Sequence, residues 1–190
     1  MVLDVDNVVS SCLHCLQAKK YVVNIPRSQL HRPATKFEGI AVDVYGALAL
    51  KKYRGYSKVL SIQDMLTGFV VFAPVKSGTW SELKRTIFHA WVRYFGLPRR
   101  LHCDQKIVTK TGKRELRSLG IEVSLSGAYA HQQNGRVERI HRFLTDQLRL
   151  VNTAPQPVLY HNNWVDLLPQ LGLKYNSAVR GDDTSPFEMV

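Results

Sequence analysis

The position of Asp43 constrains this chain more than any other single residue. It stands in the run Gly39-Ile-Ala-Val-Asp-Val-Tyr45. Alternation along a strand sends Ile40, Val42 and Val44 to one face and Ala41, Asp43 and Tyr45 to the other. A carboxylate inside an apolar strand is costly to bury unless it is paired or holds a cation. The fold must therefore bring a partner to that face. Lys58 to Asp64 and Phe69 to Val75 read as a second and a third strand, with Leu66-Thr67-Gly68 as the turn between them. The three predicted strands form an antiparallel meander.

Helices and strands then alternate. Thr79-Trp-Ser-Glu82 has the form of a capping box. Trp80, Leu83, Ile87, Trp91 and Phe95 recur at helical spacing as a buried stripe, and Gly96 and Pro98 end the helix. Arg99 to Cys103 reads as a short strand ending at Asp104. Lys113 to Leu119 reads as a short helix and Ile121 to Ser124 as another strand. Asn134 is the expected N-cap of the most legible helix, whose apolar stripe is Val137, Ile140, Leu144, Leu148 and Val151. Glu138, Arg142, Thr145 and Arg149 form the adjacent ridge. A last helix is expected from Asn163 to Tyr175.

Length and charge narrow the function. The 190 residues suit roughly one domain with a small appendage. The longest apolar run, Phe69 to Val75, is far short of the ~18 residues of a membrane span. No basic-then-apolar signal segment opens the chain, and its three cysteines make no disulfide framework, so a reducing intracellular compartment is expected. The net charge of +11 favours a polyanionic partner. From Arg99 to Arg149, eleven Lys and Arg face five Asp and Glu, and a single Phe143 is too few of the Phe and Trp anchors of a membrane-surface helix, which favours nucleic acid.

Three acids stand out by position: Asp43 within a strand, Asp104 at the end of another, and Glu138 in the first turn of a helix. Phosphoryl transfer on a polynucleotide uses two divalent ions, one activating the attacking oxygen and one stabilising the leaving oxygen. Hard oxygen ligands suit Mg2+ or Mn2+. By spacing alone, Asp104 and Glu138 read equally well as ordinary surface carboxylates.

The motifs add to this reading. Phe37-Glu-Gly-Ile-Ala-Val-Asp-Val-Tyr-Gly46 resembles the first acidic motif of retroviral-type integrases. Leu101-His-Cys-Asp-Gln105 is similar to the second, and Ala128-Tyr-Ala-His-Gln-Gln-Asn-Gly-Arg-Val-Glu-Arg139 to the third. Phe95-Gly-Leu-Pro98 and Tyr175-Asn176 with Thr184-Ser-Pro-Phe-Glu188 match as well. The similarity runs from about Ser10 to Val190 and is nearest to integrases of gypsy-type long-terminal-repeat retrotransposons.

The resemblance implies an α/β, ribonuclease H-like fold: a mixed five-stranded sheet of three antiparallel and two parallel strands, flanked by helices. It implies residues 1–25 as the remnant of an N-terminal zinc-binding domain with linker, and 26–190 as the catalytic core. The implied activity is a metal-dependent polynucleotidyl transferase that processes 3′ DNA ends and joins them to target DNA. Asp43, Asp104 and Glu138 would be the catalytic residues and the ligands of two Mg2+ or Mn2+ ions. Asn134 and Arg142 occupy positions that in the family face the terminal nucleotides, and Arg136, Arg139 and Arg149 complete the implied DNA-binding set. The partners would be double-stranded DNA, from element ends and target, and further copies of the chain assembled on it. The place of action would be the nucleus, with no membrane involved.

The sequence departs from the family in three places. Asp104-Gln105-Lys106 lacks the glycine that usually follows the second aspartate, and Asp104 and Glu138 are 34 positions apart, about two fewer than is habitual. Ala130-His131 replaces a His-Pro. A glycine lost beside a metal ligand removes backbone freedom that a turn can need. The alternative reading is therefore a decayed or domesticated integrase-like protein that binds nucleic acid. Cys12 and Cys15 supply half of a four-ligand zinc site, and no histidine precedes them, so Zn2+ is not expected here. Alternation puts His102 on the face of Asp104. Glu138 and His141 form a Glu-x-x-His pair like that of carboxylate-bridged iron proteins, but it is not repeated, which argues against such a centre.

Overall fold

The computed structural model describes residues 33–46, 52–125, 135–153, 163–179 and 183–190, with backbone only at 135–137 and 150–153. They belong to one compact unit, His31–Val190. Cys12, Cys15 and Asn134 lie outside the described residues, and only the helical backbone of Arg136 is described.

Five strands form one sheet among these residues: β1 (Gly39–Tyr45), β2 (Lys58–Asp64), β3 (Val70–Val75), β4 (Arg100–Cys103) and β5 (Glu122–Leu125). Their spatial order is β3-β2-β1-β4-β5. β1 and β2 pair antiparallel, as do β2 and β3. β1 and β4 pair parallel, as do β4 and β5. This is the expected mixture, with the antiparallel meander on one side of β1 and the parallel pair on the other.

Helices cover both faces. α1 begins as Trp80–Ile87, widens into a π turn at Phe88–Val92 and closes with Arg93–Phe95. α2 is Lys110–Ser118, α3 is Gly135–Thr153 and α4 is Trp164–Asn176. One apolar core joins Ile40, Val42, Leu60, Ile62, Leu101 and Cys103 of the sheet to Trp80, Leu83, Ile87 and Trp91 of α1 and Leu116 of α2. The other joins Val59, Val70 and Phe72 to Ile140, Leu144 and Leu148 of α3 and Leu167, Leu168 and Leu171 of α4. β2, between two strands and two helical layers, is buried along nearly its whole length.

The π turn has a cause in the sequence. Leu83, Ile87, Trp91 and Phe95 are spaced by fours. Each such step drifts about 40° around an α-helix, so three steps would carry Phe95 off the core face. The wider turn absorbs that drift. Trp91 is fully buried, and Phe95 packs against its ring at 4.7 Å.

Two local expectations are corrected. Thr79 makes no side-chain cap on its helix. Glu82 reaches further back instead, and its carboxylate accepts from the backbone N–H groups of Lys76, Ser77 and Gly78 and from Ser77 Oγ. Partial burial pushes the pKa of Glu82 up, but these donors outweigh it and hold the value at about 2. α2 starts one turn earlier than Lys113 because Thr109 caps it, accepting from Gly112 N at 3.1 Å. Gly112 lies against the indole of Trp80, where a Cβ would come within 2.5 Å of the ring. Trp80 Nε1 donates to Glu115 on the same helix, which fixes the indole in that position.

The Tyr175-Asn176 and Thr184–Glu188 matches are architectural. Asn176 donates to Val70 O and accepts from Val70 N, both at 2.8 Å, so a side-chain amide pairs with the outermost strand. Phe187 N donates to Asn176 O, and Glu188 closes a turn on Ser185 N and Oγ.

Candidate functional site

The site is built at the carboxyl ends of two neighbouring parallel strands. The β1–β4 register closes with Val42 opposite Cys103. Asp43 follows that rung within β1 and Asp104 follows it just past the end of β4, so the two residues stand at the same level. Adjacent strands are about 4.8 Å apart. Cys103 senses both acids. Its thiol is pushed up to about 12, first by burial, then by the negative charge of Asp104, with Lys113 opposing and Asp43 reinforcing. The thiol is thus a core group with no tendency to ionise.

Asp43 lies on the α3 face of the sheet, as alternation requires, because Val42 belongs to the α1 core. α3 is fastened over it. His141 Nε2 is 2.8 Å from Asp43 Oδ2, and the His141 ring lies 5.1 Å from that of Tyr45. Tyr45 Oη and Thr145 Oγ1 are 2.6 Å apart. Thr145 Oγ1 donates its proton to His141 O at 2.8 Å, so the tyrosine hydroxyl is the donor in the Tyr45–Thr145 pair. His141 and Thr145 are four residues apart on the helix, just as Asp43 and Tyr45 are two apart on the strand; the two spacings match in length.

Glu138 is exposed, one turn before His141 on the same side of α3. Arg139, Arg142 and Arg149 are exposed on that helix too, whereas Ile140, Leu144 and Leu148 face the core. Asp104 is exposed. Among the described residues no three His, Cys, Asp or Glu side chains are gathered closely enough to hold a metal ion. The structure therefore brings Asp43 and Asp104 to one level and Glu138 onto the helix above, without drawing the three into one ligand cage.

This partial grouping still fits a divalent cation. Mg2+ is commonly held by one or two carboxylates, with waters and substrate phosphates completing its shell. Asp43 and Asp104 supply hard oxygens at an exposed strand end, beside an arginine-bearing helix. They are the residues that would hold such an ion.

The missing glycine after Asp104 carries no backbone penalty. Ile107 N donates to Asp104 O at 3.0 Å, closing a turn over Gln105 and Lys106. The non-glycine residues with positive φ among those described are Phe37, Arg54 and Asp183, none of them in this turn. The turn is made in ordinary backbone space and needs no glycine.

Two residues near the site differ in how well the sequence marked them. His102 is buried on the α3 face, with Nδ1 3.3 Å from Ser124 Oγ, and burial lowers its pKa. Alternation places it correctly. The unrepeated Glu-x-x-His pair by itself does not single out His141. The signal available for it was its place on the Glu138–Thr145 ridge, which faces a strand bearing a carboxylate.

No protein-family model matches the chain. It is 26% identical over 188 residues to the Gag-Pol polyprotein of avian reticuloendotheliosis virus, covering 97% of the chain and 16% of that polyprotein. It is 29% identical over 182 residues to the Pro-Pol polyprotein of simian foamy virus type 3 (strain LK3), covering 92% and 15%. It is 27% identical over 188 residues to the Pol polyprotein of radiation murine leukemia virus (strain Kaplan), covering 96% and 31%. The chain thus spans under a third of the length of these relatives. Among solved structures, a simian T-cell lymphotropic virus intasome in complex with PP2A regulatory subunit B56 gamma matches with a TM-score of 0.67 at 17% identity, covering 99% of this chain and 66% of that one. The HTLV-2 integrase catalytic core domain, in complex with magnesium in a trimeric form, matches with a TM-score of 0.58 at 16% identity, covering 83% and 98%. The resemblance to retroviral-type integrase catalytic cores stands, and so does the ribonuclease H-like mixed sheet.

Proposed function

We propose that the chain is the catalytic core of an integrase that processes 3′ DNA ends and joins them to target DNA. The observation that carries this reading is the pair Asp43 and Asp104, level with each other at the ends of parallel strands under the helix that bears Glu138. A hydrolytic nuclease reading would use the same two carboxylates, but the similarity to retroviral Pol polyproteins across nearly the whole chain favours DNA joining.

In this reading Asp43 and Asp104 hold divalent cations, and Glu138 approaches from α3 when DNA is bound. The cations supply charge stabilisation at the attacking and leaving oxygens. Arg139, Arg142 and Arg149 lie along the same helix and contribute phosphate contacts, which position DNA without reading its sequence. Asn134 and Arg136 precede them on the approach to Glu138. The intasome and the trimeric integrase core among the similar structures support DNA as the partner and a multimer as the working form. A protein with this task would act in the nucleus. No helix among the described residues is long and apolar enough to cross a membrane.

The test is a strand-transfer assay with Mn2+ and a labelled duplex carrying an exposed 3′-hydroxyl, comparing the parent with Asp43→Asn and Glu138→Gln. The parent should join the label to target DNA, and each variant should lose at least about 100-fold, as expected when a transition-state contact is removed. Equal activity in all three would refute the assignment.

The second reading, a DNA-binding protein that has lost catalysis, is favoured by the absence of a gathered three-ligand group among the described residues. It predicts DNA binding whose log affinity falls with log salt at a slope of about −0.9 per phosphate neutralised. It also predicts no Mn2+ binding that depends on Asp43 and Asp104. Only the second of these separates the two readings.

A further inference from the structure

We propose that His141 is a positioning residue for Asp43, holding one oxygen of its carboxylate from the α3 side so that the other is presented to a divalent cation. The proposal deepens the integrase reading and rests on Asp43 being a metal ligand.

The contacts form a closed circuit. His141 Nε2 approaches Asp43 Oδ2 at 2.8 Å. The atom is shut off from solvent, and the carboxylate oxygen is the polar group it faces, at hydrogen-bond distance though off the ideal bond line. The imidazole is set in its plane by the Tyr45 ring at 5.1 Å. Tyr45 is held by Thr145, and Thr145 is held by the carbonyl of His141 itself. Two side chains, Tyr45 of β1 and Thr145 of α3, thus hold the ring that approaches Asp43.

Asp43 otherwise has little to orient it. Its strand neighbour on the same face, Ser61, spends its hydroxyl on the backbone carbonyl of Asp43 and not on the carboxylate. Asp104 carries like charge and repels it. A metal-ligating carboxylate is ordinarily steered by a neighbour of this kind, and removing one such neighbour typically costs 10–100-fold in metal affinity. The circuit also links the two halves of the site. The helix turn that grips Asp43 follows directly on the turn that carries Glu138.

The measurement is Mn2+ affinity of the full chain without DNA, read from the electron paramagnetic resonance signal of free Mn2+. The parent is compared with His141→Ala, His141→Gln and Asp43→Asn, with circular dichroism to establish folding. Gln keeps an N–H donor at nearly the reach of Nε2. The expected result is a loss of at least about 10-fold for His141→Ala and recovery to within a few-fold of the parent for His141→Gln. A ring that merely fastened α3 would change thermal stability and leave Mn2+ affinity alone. An affinity for His141→Ala equal to the parent, or tighter, overturns the proposal. If His141→Ala does not fold, His141→Leu, of similar bulk and without a polar tip, carries the same expectation. Parent-like affinity in Asp43→Asn would show that Asp43 is no ligand, and would remove the integrase reading's metal pair independently of His141.

Discussion

Asp43 and Asp64 are both strand aspartates, on neighbouring strands and three rungs apart in their register, and the protein treats them differently. Asp64, at the end of β2, is fully buried and fully served. Its Oδ1 accepts from Phe37 N at 2.9 Å, and its Oδ2 accepts from Thr67 N and Thr67 Oγ1, both at 2.7 Å. That carboxylate closes the β2–β3 turn and ties the segment before β1 to it. Asp43 is half-buried and, among the described residues, receives no aligned donor but the approach of His141. A buried charge whose donors are all supplied by its own fold is structural. One left with spare acceptor capacity beside a second carboxylate is equipped for a cation.

The comparison can be broken at either end. Asp64→Ala would leave the N–H groups of Phe37 and Thr67 without their acceptor. Each unsatisfied buried group costs about 1–3 kcal/mol, so a loss of about 3 kcal/mol or more in urea unfolding is expected. Tyr45→Phe removes the donor to Thr145 and loosens the circuit around His141. The expected loss is about 1 kcal/mol, that of one ordinary hydrogen bond. Asp43→Asn should change stability least, within about 0.5 kcal/mol, since the amide keeps an oxygen that can face His141 Nε2. If Asp43→Asn destabilised the protein as much as Asp64→Ala, Asp43 would be a structural acid and the distinction would fail.

The same contrast explains what could be read from the sequence. The strands, their order along the chain and the two helical stripes were legible because burial on one face leaves periods of two and 3.6 residues. Asp43 was legible because it violates its period. Asp64 was not, because it ends its strand next to a turn, where an acid is unremarkable until its three donors are seen. The early start of α2 was missed because Gly112 lowers helix propensity, and the close approach of Trp80 that requires a glycine there is a tertiary fact. The absence of a glycine after Asp104 looked damaging from the motif alone, yet the turn closes with negative φ throughout. His141 eluded a motif-based reading because its partner is nearly a hundred residues away on a different element.

The central claim is that Asp43 and Asp104 jointly hold a divalent cation. Crystals of the chain soaked in Mn2+ and measured for anomalous scattering test it most directly. The account predicts a peak touching carboxylate oxygens of both Asp43 and Asp104. A map with no peak between those two side chains at saturating Mn2+, or with Mn2+ bound only elsewhere on the surface, would contradict it.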